Sequence, residues 1–289
     1  MRKKGLFPVA LLVSSLVLSI LGGCASNAAP PQSPTNATPS TTPSTPSTTP
    51  EQPASDVKLK LVHEGKLTFA MSGLLKPLNY KDTNGVLTGF DVEIGNEIAK
   101  RIGLEANPVT NPWETILQGL KGGKYDAIIG SMTHTEERAK QVDFTEPYYI
   151  SGGQIFIAET NDSIKTQDDL QGKVIGVVQA STHKEVAETL TDKTKVKGYP
   201  TDIYALQDLV PGRVDAVITD RVVGTSAIKN QGLKIKATGE VLNKENIAIA
   251  VTKDNPELTK KINEAIKAMI EDGTYEQISV KWFGSNLLK

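Results

Sequence analysis

Leu117-Gln118-Gly119-Leu120-Lys121-Gly122-Gly123-Lys124-Tyr125-Asp126-Ala127-Ile128-Ile129-Gly130 aligns without gaps on Leu206-Gln207-Asp208-Leu209-Val210-Pro211-Gly212-Arg213-Val214-Asp215-Ala216-Val217-Ile218-Thr219, and half of the positions are identical. Each stretch reads as a helix, a glycine turn, a basic residue, an Asp-Ala pair and then an apolar strand. Any helix-to-strand unit shares that order, but identity at this level points to two similarly built lobes. Two copies are too few for a solenoid.

Outward from these units, Leu67 to Met71 and Val174 to Val178 read as buried strands, beside Tyr125 to Ile129 and Ala216 to Thr219. Phe90, Ile94, Ile98 and Ile102 recur at helical spacing and stop at Gly103. Pro256 to Asp272 opens on proline and closes before Gly273, again as a helix does. Short strands alternating with helices describe an α/β fold on mainly parallel strands. A length of 289 residues suits two lobes with appendages.

The front of the chain is a different kind of sequence. Arg2, Lys3 and Lys4 precede an apolar stretch from Leu6 to Ile20 and a small-residue exit at Leu21-Gly22-Gly23-Cys24, the plan of a secretory signal peptide. The apolar part is short for a membrane span, which takes about 20 residues. From Ala25 to Asp56 the chain is mostly Pro, Thr, Ser, Asn and Ala without apolar periodicity, and it buries too little surface to offset the entropy of ordering it. As an extended tether at about 3.1 Å per residue it spans on the order of 100 Å.

Composition removes several functions. The 32 Lys and Arg against 33 Asp and Glu give a formal net charge of −1, with no basic block in the body of the chain, which excludes a nucleic-acid partner. Cys24 is the only cysteine, so disulfides, thiolate metal sites and a cysteine nucleophile are excluded from the lobes. No metal-ligand cluster and no Gly-rich phosphate loop is visible, and no metal or cofactor is expected.

In open α/β sheets, ligands bind beyond the carboxyl ends of the strands, which directs attention to the residues after Ile129, Val178 and Thr219. In Gly130-Ser131-Met132-Thr133-His134-Thr135-Glu136-Glu137-Arg138, Thr133 and Glu136 have capping-box spacing, which predicts a helix start whose free N–H groups attract a carboxylate. Arg138, on the second turn, offers a planar fork to the same group. Thr182 and Glu185 repeat the capping pattern after Val178. Asp220 suits an ammonium, although a lone Asp at a strand end is more often a helix cap. Separate places for a negative and a positive group are what a zwitterionic amino acid needs.

With these residues in place, the chain resembles the bacterial extracellular solute-binding proteins of the polar-amino-acid class, the receptors of ABC importers. The resemblance covers Val57 to Lys289. It is carried by Gly89-Phe90-Asp91-Val92-Glu93-Ile94, Lys124-Tyr125-Asp126-Ala127-Ile128-Ile129, Thr135-Glu136-Glu137-Arg138, Val142-Asp143-Phe144-Thr145-Glu146-Pro147-Tyr148-Tyr149, Gly212-Arg213-Val214-Asp215-Ala216, and Asp272-Gly273-Thr274-Tyr275 with Trp282-Phe283. It implies a periplasmic-binding-protein-like type II fold, two α/β lobes joined by a two-strand hinge. Lobe 1 would be 57–150 with 247–289 and lobe 2 would be 151–246, with crossovers near Ser151 to Gln154 and Asn243 to Asn246. The same resemblance implies that Arg138 and the backbone of Thr133 and Thr182 hold a ligand carboxylate, with Ser131 at the same strand end. Asp220 would hold the amine and Trp113 would form an aromatic wall. Leu21-Gly22-Gly23-Cys24 resembles the lipobox of bacterial lipoproteins, which implies removal of residues 1–23, acylation of Cys24 and anchoring on the extracytoplasmic face of the cell membrane. The implied protein is a monomer that closes its hinge on a free amino acid and passes it to a membrane permease.

Departures from the family bear on the ligand. Leu75 and Leu78 stand where aromatics are usual, so one wall is aliphatic and roomy. Ser72 stands where binders of lysine, arginine or histidine tend to place an acid. A non-basic ligand is expected, polar or sulfur-containing, such as glutamine or cystine. The competing reading is a dehydratase of the same fold acting on a small cyclic acid, with His134 and His183 near the cleft. Both histidines fall at predicted helix starts, where exposure and capping explain them, and no enzyme is expected.

Overall fold

The computed structural model describes residues 59–289. The expected signal segment, the Cys24 lipidation site and the tether through Asp56 lie outside the described residues.

Strand β1 (Lys66–Met71) is buried from Leu67 onward, as an uncharged run in the middle of a sheet must be. A small meander follows, made of β2 (Leu74–Leu75), β3 (Asn79–Lys81) and β4 (Leu87–Thr88). Helix α1 (Phe90–Arg101) turns Phe90, Ile94 and Ile98 inward and carries acids in its first turn and bases in its last, matching its dipole. After β5 (Glu105–Thr110) and α2 (Trp113–Lys121) comes β6 (Ala127–Thr133), then α3 (Glu136–Ala139), β7 (Asp143–Phe144) and β8 (Tyr149–Ser151).

The chain then builds a second sheet from β9 (Gly153–Ala158), β10 (Ile175–Val178), β11 (Val196–Tyr199), β12 (Ala216–Asp220) and β13 (Ile235–Thr238). Its helices are α4 (Thr182–Leu190), α5 (Asp202–Gln207) and α6 (Arg221–Gln231). Strand β14 (Glu245–Val251) returns to the first sheet, and α7 (Pro256–Glu271) and α8 (Thr274–Phe283) close the fold.

The first sheet runs β5-β1-β6-β14-β7, with β8 also on β14, and the second runs β11-β10-β12-β9-β13. Both are parallel through their β-α-β core: β1 pairs with β5 and β6, and β10 pairs with β11 and β12. The strands that carry the chain across, β9 and β14, run antiparallel to β12 and β6. The expectation of mainly parallel sheets therefore holds for the cores alone, because a chain that crosses and returns must reverse direction.

The crossovers touch each other. A Cβ added at Gly152 would lie 2.1 Å from the Asn243 carbonyl oxygen. The Gly153 N–H donates to Asn243 Oδ1 at 3.0 Å and the Leu242 N–H to the Gly153 carbonyl at 2.8 Å.

The sequence echo is also a repeat in space. Gly123 and Gly212, its equivalent glycines, have φ of +67° and +72°, the left-handed region that glycine enters without penalty. Asp126 N–H donates to the Thr68 carbonyl at 2.7 Å, while its carboxylate accepts from the N–H groups of Thr68 and Val62, each at 2.7 Å. Asp215 does the same to Val174 in the other lobe, donating and accepting at 2.8 Å. Each Asp thus staples the entrance of a central strand to its neighbour, which is why β6 begins at Ala127 and not at Tyr125. Among the described residues, no helix is long and apolar enough to cross a membrane.

Candidate functional site: a cleft between the lobes

Between the two sheets lies a cavity of about 650 Å³ of atom-free space, partly open to solvent. The ends of β1 and β6 bring Ser72, Ser131 and Thr133 to it, and α3 brings Arg138. Leu75 of β2 and Trp113 of α2 form apolar walls. The second lobe contributes Thr182 at the start of α4 and Asp220 at the end of β12. Every residue singled out from the sequence as a ligand contact lines this one space.

Arg138 dominates the first lobe's side. The helix it occupies is capped by Thr135, whose hydroxyl accepts from the Arg138 N–H at 3.2 Å. The capping box expected at Thr133 and Glu136 does not form, because β6 runs on through Thr133 and pairs it with Ile247. Arg138 Nη1 donates to the Thr133 carbonyl at 2.9 Å, and Nη2 reaches across the cleft to the Ala180 carbonyl at 3.2 Å. Its guanidinium lies 5.7 Å from the Trp113 ring centroid. Burial pulls its pKa below the ordinary value, against the charges of Glu185, Glu245 and Glu137. Among the described residues it forms no ion pair. It is a half-buried cation with three of its five N–H donors unspent.

The second lobe answers with Asp220. Its Oδ1 accepts from the Val222 N–H at 2.8 Å, capping α6, and from Ser151 Oγ at 2.7 Å. Burial pushes its pKa up to about 6, although Ser151 and the charge of His183 pull the other way. Cap and cavity lining, alternatives on sequence, are here the same carboxylate.

Helix α4 is capped by Ser181, which accepts from the Lys184 N–H at 3.3 Å, one residue before the expected Thr182. Thr182 Oγ1 is drawn instead to Glu245 Oε1 at 2.6 Å, a charge-assisted bond stronger than a neutral cap. Ser72 and Ser131 spend their hydroxyl protons on the protein, donating to Asn79 Oδ1 at 3.0 Å and to Asp91 Oδ2 at 2.8 Å. The fully buried Asp91 also accepts from Asn79 Nδ2 at 2.6 Å and from the Tyr148 hydroxyl at 2.7 Å. Both serines therefore face the cavity as acceptors. Ser131 and Ala180, at φ of +61° and +57°, are non-glycine residues held left-handed at the two strand exits, strain of the kind that collects at binding sites.

Residues 67–285 match the family described as bacterial extracellular solute-binding proteins, family 3. The chain belongs to that family. The L-cystine-binding protein TcyJ of Escherichia coli (strain K12) is 35% identical over 231 residues, 80% of this chain and 87% of the relative. A solved ancestral arginine-binding protein bound to glutamine superposes with a TM-score of 0.73 at 41% identity, covering 77% of this chain and 100% of that one. The ancestral amino acid-binding protein AncCDT-1, a precursor of cyclohexadienyl dehydratase, superposes with a TM-score of 0.70 at 32% identity, covering 76% and 96%. The two lobes and their double crossover are the type II periplasmic-binding-protein fold.

In this solute-binding protein, sequence reasoning missed several groups of the cavity. Glu245 opens β14 wholly buried, accepts from Thr182 Oγ1 and from Asn243 Nδ2 at 3.2 Å, and lies 3.2 Å from His183 Nε2. Burial pushes the Glu245 pKa up, but the bond and charge of His183, with Thr182 and Asn243, bring it down to about 2. His183, expected to be exposed, is buried in the cavity wall; burial opposes its protonation, yet Glu245 raises its pKa overall. His134 is exposed as expected and stacks on Phe144, with ring centroids 4.5 Å apart. Nothing local marks the His183–Glu245 pair, since its members meet only when β14 returns across the hinge. Tyr149, Thr201 and Asp202 also line the space.

Proposed function

We infer that this chain is the receptor of an ABC importer, capturing a free, non-basic amino acid in the interlobe cleft. One observation carries the reading: a half-buried Arg138 that forms no ion pair among the described residues shares a cavity with a buried Asp220 that likewise forms none among them. A buried charge is costly until it is paired, and an α-amino acid supplies both counter-charges at once. The α-carboxylate would take the spare Arg138 donors in a fork and the backbone of Thr133 and Thr182. The ammonium would take Asp220, with Ser131 as a further acceptor. Trp113, Leu75 and Leu78 would wall the side chain, and the neutral Ser72 gives no acid for a basic one. That TcyJ is named for L-cystine agrees with this ligand class, whereas the ancestral protein, named for arginine and solved with glutamine and with arginine, does not separate basic from non-basic ligands.

The lobes, taken as 57–150 with 247–289 and as 151–246, would close about the paired crossovers. The bond that spans the cleft, Arg138 to Ala180, belongs to the closed form, and Thr182 to Glu245 ties the second lobe to the returning crossover. A ligand drives closure only by its difference in affinity for the two states. Cleavage before Cys24, its acylation, an extracytoplasmic location and delivery to a membrane permease complete the proposal. Thermal unfolding of the purified chain against the common amino acids and cystine tests it. Ligand at about 1,000 times its Kd adds about 4 kcal/mol to stability. A strong upward shift with non-basic members supports the receptor reading. No shift with any member removes it, and a shift with arginine alone keeps a receptor but removes the non-basic ligand. The His183–Glu245 pair in the cavity and the kinship with a dehydratase precursor favour the dehydratase as second reading; recovery of bound ligand unchanged after incubation speaks against it.

A further inference from the structure

An α-carboxylate at Arg138 and an α-ammonium at Asp220 leave part of the cavity unused. On the second lobe, Thr201 and Asp202 at the start of α5 line it. Thr201 is 6% exposed and its hydroxyl has no hydrogen-bond partner among the described residues. The Asp202 carboxylate accepts from Thr219 Oγ1 and forms no ion pair among the described residues. The positive charge it feels is that of His183, which is already paired with Glu245. A smaller cavity of about 350 Å³ shares the walls Leu74, Leu75, Asp202 and Val223 with the first and adds Lys76. Lys76 Nζ sits 5.2 Å from the Tyr80 ring centroid and likewise forms no ion pair among the described residues. Past the first amino-acid head, the cleft therefore holds a second carboxylate and a buried hydroxyl with bonding capacity to spare, and the adjoining cavity adds a second ammonium.

We propose that Asp202, Thr201 and Lys76 form a second head-group subsite, so that the ligand carries two α-amino-acid groups, with L-cystine as the compact case. This rests on the receptor reading above. Asp202 takes the far ammonium, Lys76 the far carboxylate, and the Thr201 hydroxyl bonds the same far head. Asp202 is held by Thr219, the residue before Asp220 on β12, so both carboxylates belong to the same end of one strand. Charge then selects the ligand. A guanidinium at this end is opposed by Lys76, and an amide leaves both Asp202 and Lys76 without a counter-charge, whereas a zwitterionic head satisfies both.

Calorimetric titration of the full chain with L-cystine, S-methyl-L-cysteine, L-glutamine and L-arginine tests the subsite. L-Cystine is expected to bind at least about tenfold more tightly than the single-headed S-methyl-L-cysteine. Asp202→Asn should weaken L-cystine by roughly ten- to hundredfold more than it weakens S-methyl-L-cysteine, as loss of one partner of a desolvated charge pair does. Thr201→Val, which keeps the shape and removes the hydroxyl, and Lys76→Gln should show the same selectivity with smaller factors, and they carry the test if Asp202→Asn fails to fold. Equal or tighter binding of glutamine or S-methyl-L-cysteine by the unaltered chain overturns the subsite and leaves the receptor reading intact, while equal or tighter binding of arginine overturns the subsite and the non-basic ligand class together. Equal weakening of every ligand by all three variants also overturns it and assigns the residues to architecture. Failure to bind any amino acid overturns both.

Discussion

The unit from α2 to β6 and the unit from α5 to β12 begin alike and end as opposites. Both make a left-handed glycine turn, staple a neighbouring strand with Asp126 or Asp215, and deliver a buried strand to the cleft. At the exit of β6 the chain presents a cation, Arg138 on a four-residue helix. At the exit of β12 it presents an anion, Asp220, which is itself the cap of α6. Repetition supplies the scaffold, and divergence at the two strand ends supplies charges of opposite sign, the pair that the proposed zwitterionic ligand would read.

The largest expected effects come from erasing that opposition. Arg138→Ala should weaken amino-acid binding by several hundredfold or more, about 3–5 kcal/mol as for other buried charge pairs that lose a partner. The ligand-free protein should unfold at the same or a higher temperature, since a half-buried cation without a carboxylate partner is removed. Asp220→Asn should weaken binding less, because an amide oxygen still accepts from an ammonium. It should also remove a pH dependence. The Asp220 carboxyl is raised from 3.8 to about 6 in the folded, ligand-free protein, so below about pH 6 an incoming ammonium must displace a proton. Affinity should then fall by up to about tenfold per pH unit on acidification from 6 toward 4. The same shift acts on stability with the opposite sense: its contribution is full below 3.8 and is lost as pH rises through about 6. Calorimetry across that range checks both, and an affinity flat from pH 4.5 to 7 would remove Asp220 from the ammonium site.

The shared scaffold conceals a second difference, in burial. Asp126 is 5% exposed and holds two N–H groups, whereas Asp215 is exposed and holds one. Asp126→Ala should cost about 2–4 kcal/mol in denaturant unfolding, because it leaves two donors without an acceptor. Asp215→Ala should cost about 1 kcal/mol or less, because water can replace the carboxylate. Equal losses would mean that the two staples are energetically the same and that burial does not separate them.

Legibility from sequence followed the range of the interaction. The strands at Leu67, Val174 and Ala216 and the inward face of α1 were readable because burial writes its own periodicity. The placement of Arg138 and Asp220 at the cleft was readable too, because strand ends in an α/β fold face it. The caps were misread by a residue or two, at Thr133 for Thr135 and Thr182 for Ser181. The caps that form are followed three residues on by Arg138 and Lys184 and so lack the Ser/Thr-x-x-Glu pattern, and the pairing of Thr133 with Ile247 and the pull of Glu245 on Thr182 take the patterned threonines away from the cap. The His183–Glu245 pair, the Asp91 hub under Ser131 and the unpartnered Thr201 hydroxyl had no local signature at all. The pair is a product of the double crossover, while the hub gathers Asn79, Ser131 and Tyr148 from distant segments of the first lobe and the hydroxyl is buried by the packing of the second.

The smallest expected effect separates the two strand exits once more. Ser181 caps the nine-residue α4 and also donates to the Val178 carbonyl at 2.7 Å, so Ser181→Ala should cost about 1 kcal/mol of stability. Thr135 caps only four residues, and Thr135→Ala should cost about half of that. Its bond, however, ends on the N–H of Arg138 itself, so the loss should fall on ligand affinity more than on the unfolding midpoint. Fixing a guanidinium within a few tenths of an ångström matters to a two-pronged carboxylate contact and very little to a four-residue helix. If the two alanine variants instead lose affinity and stability in the same proportion, α3 is a passive bracket and not the element that aims the cation.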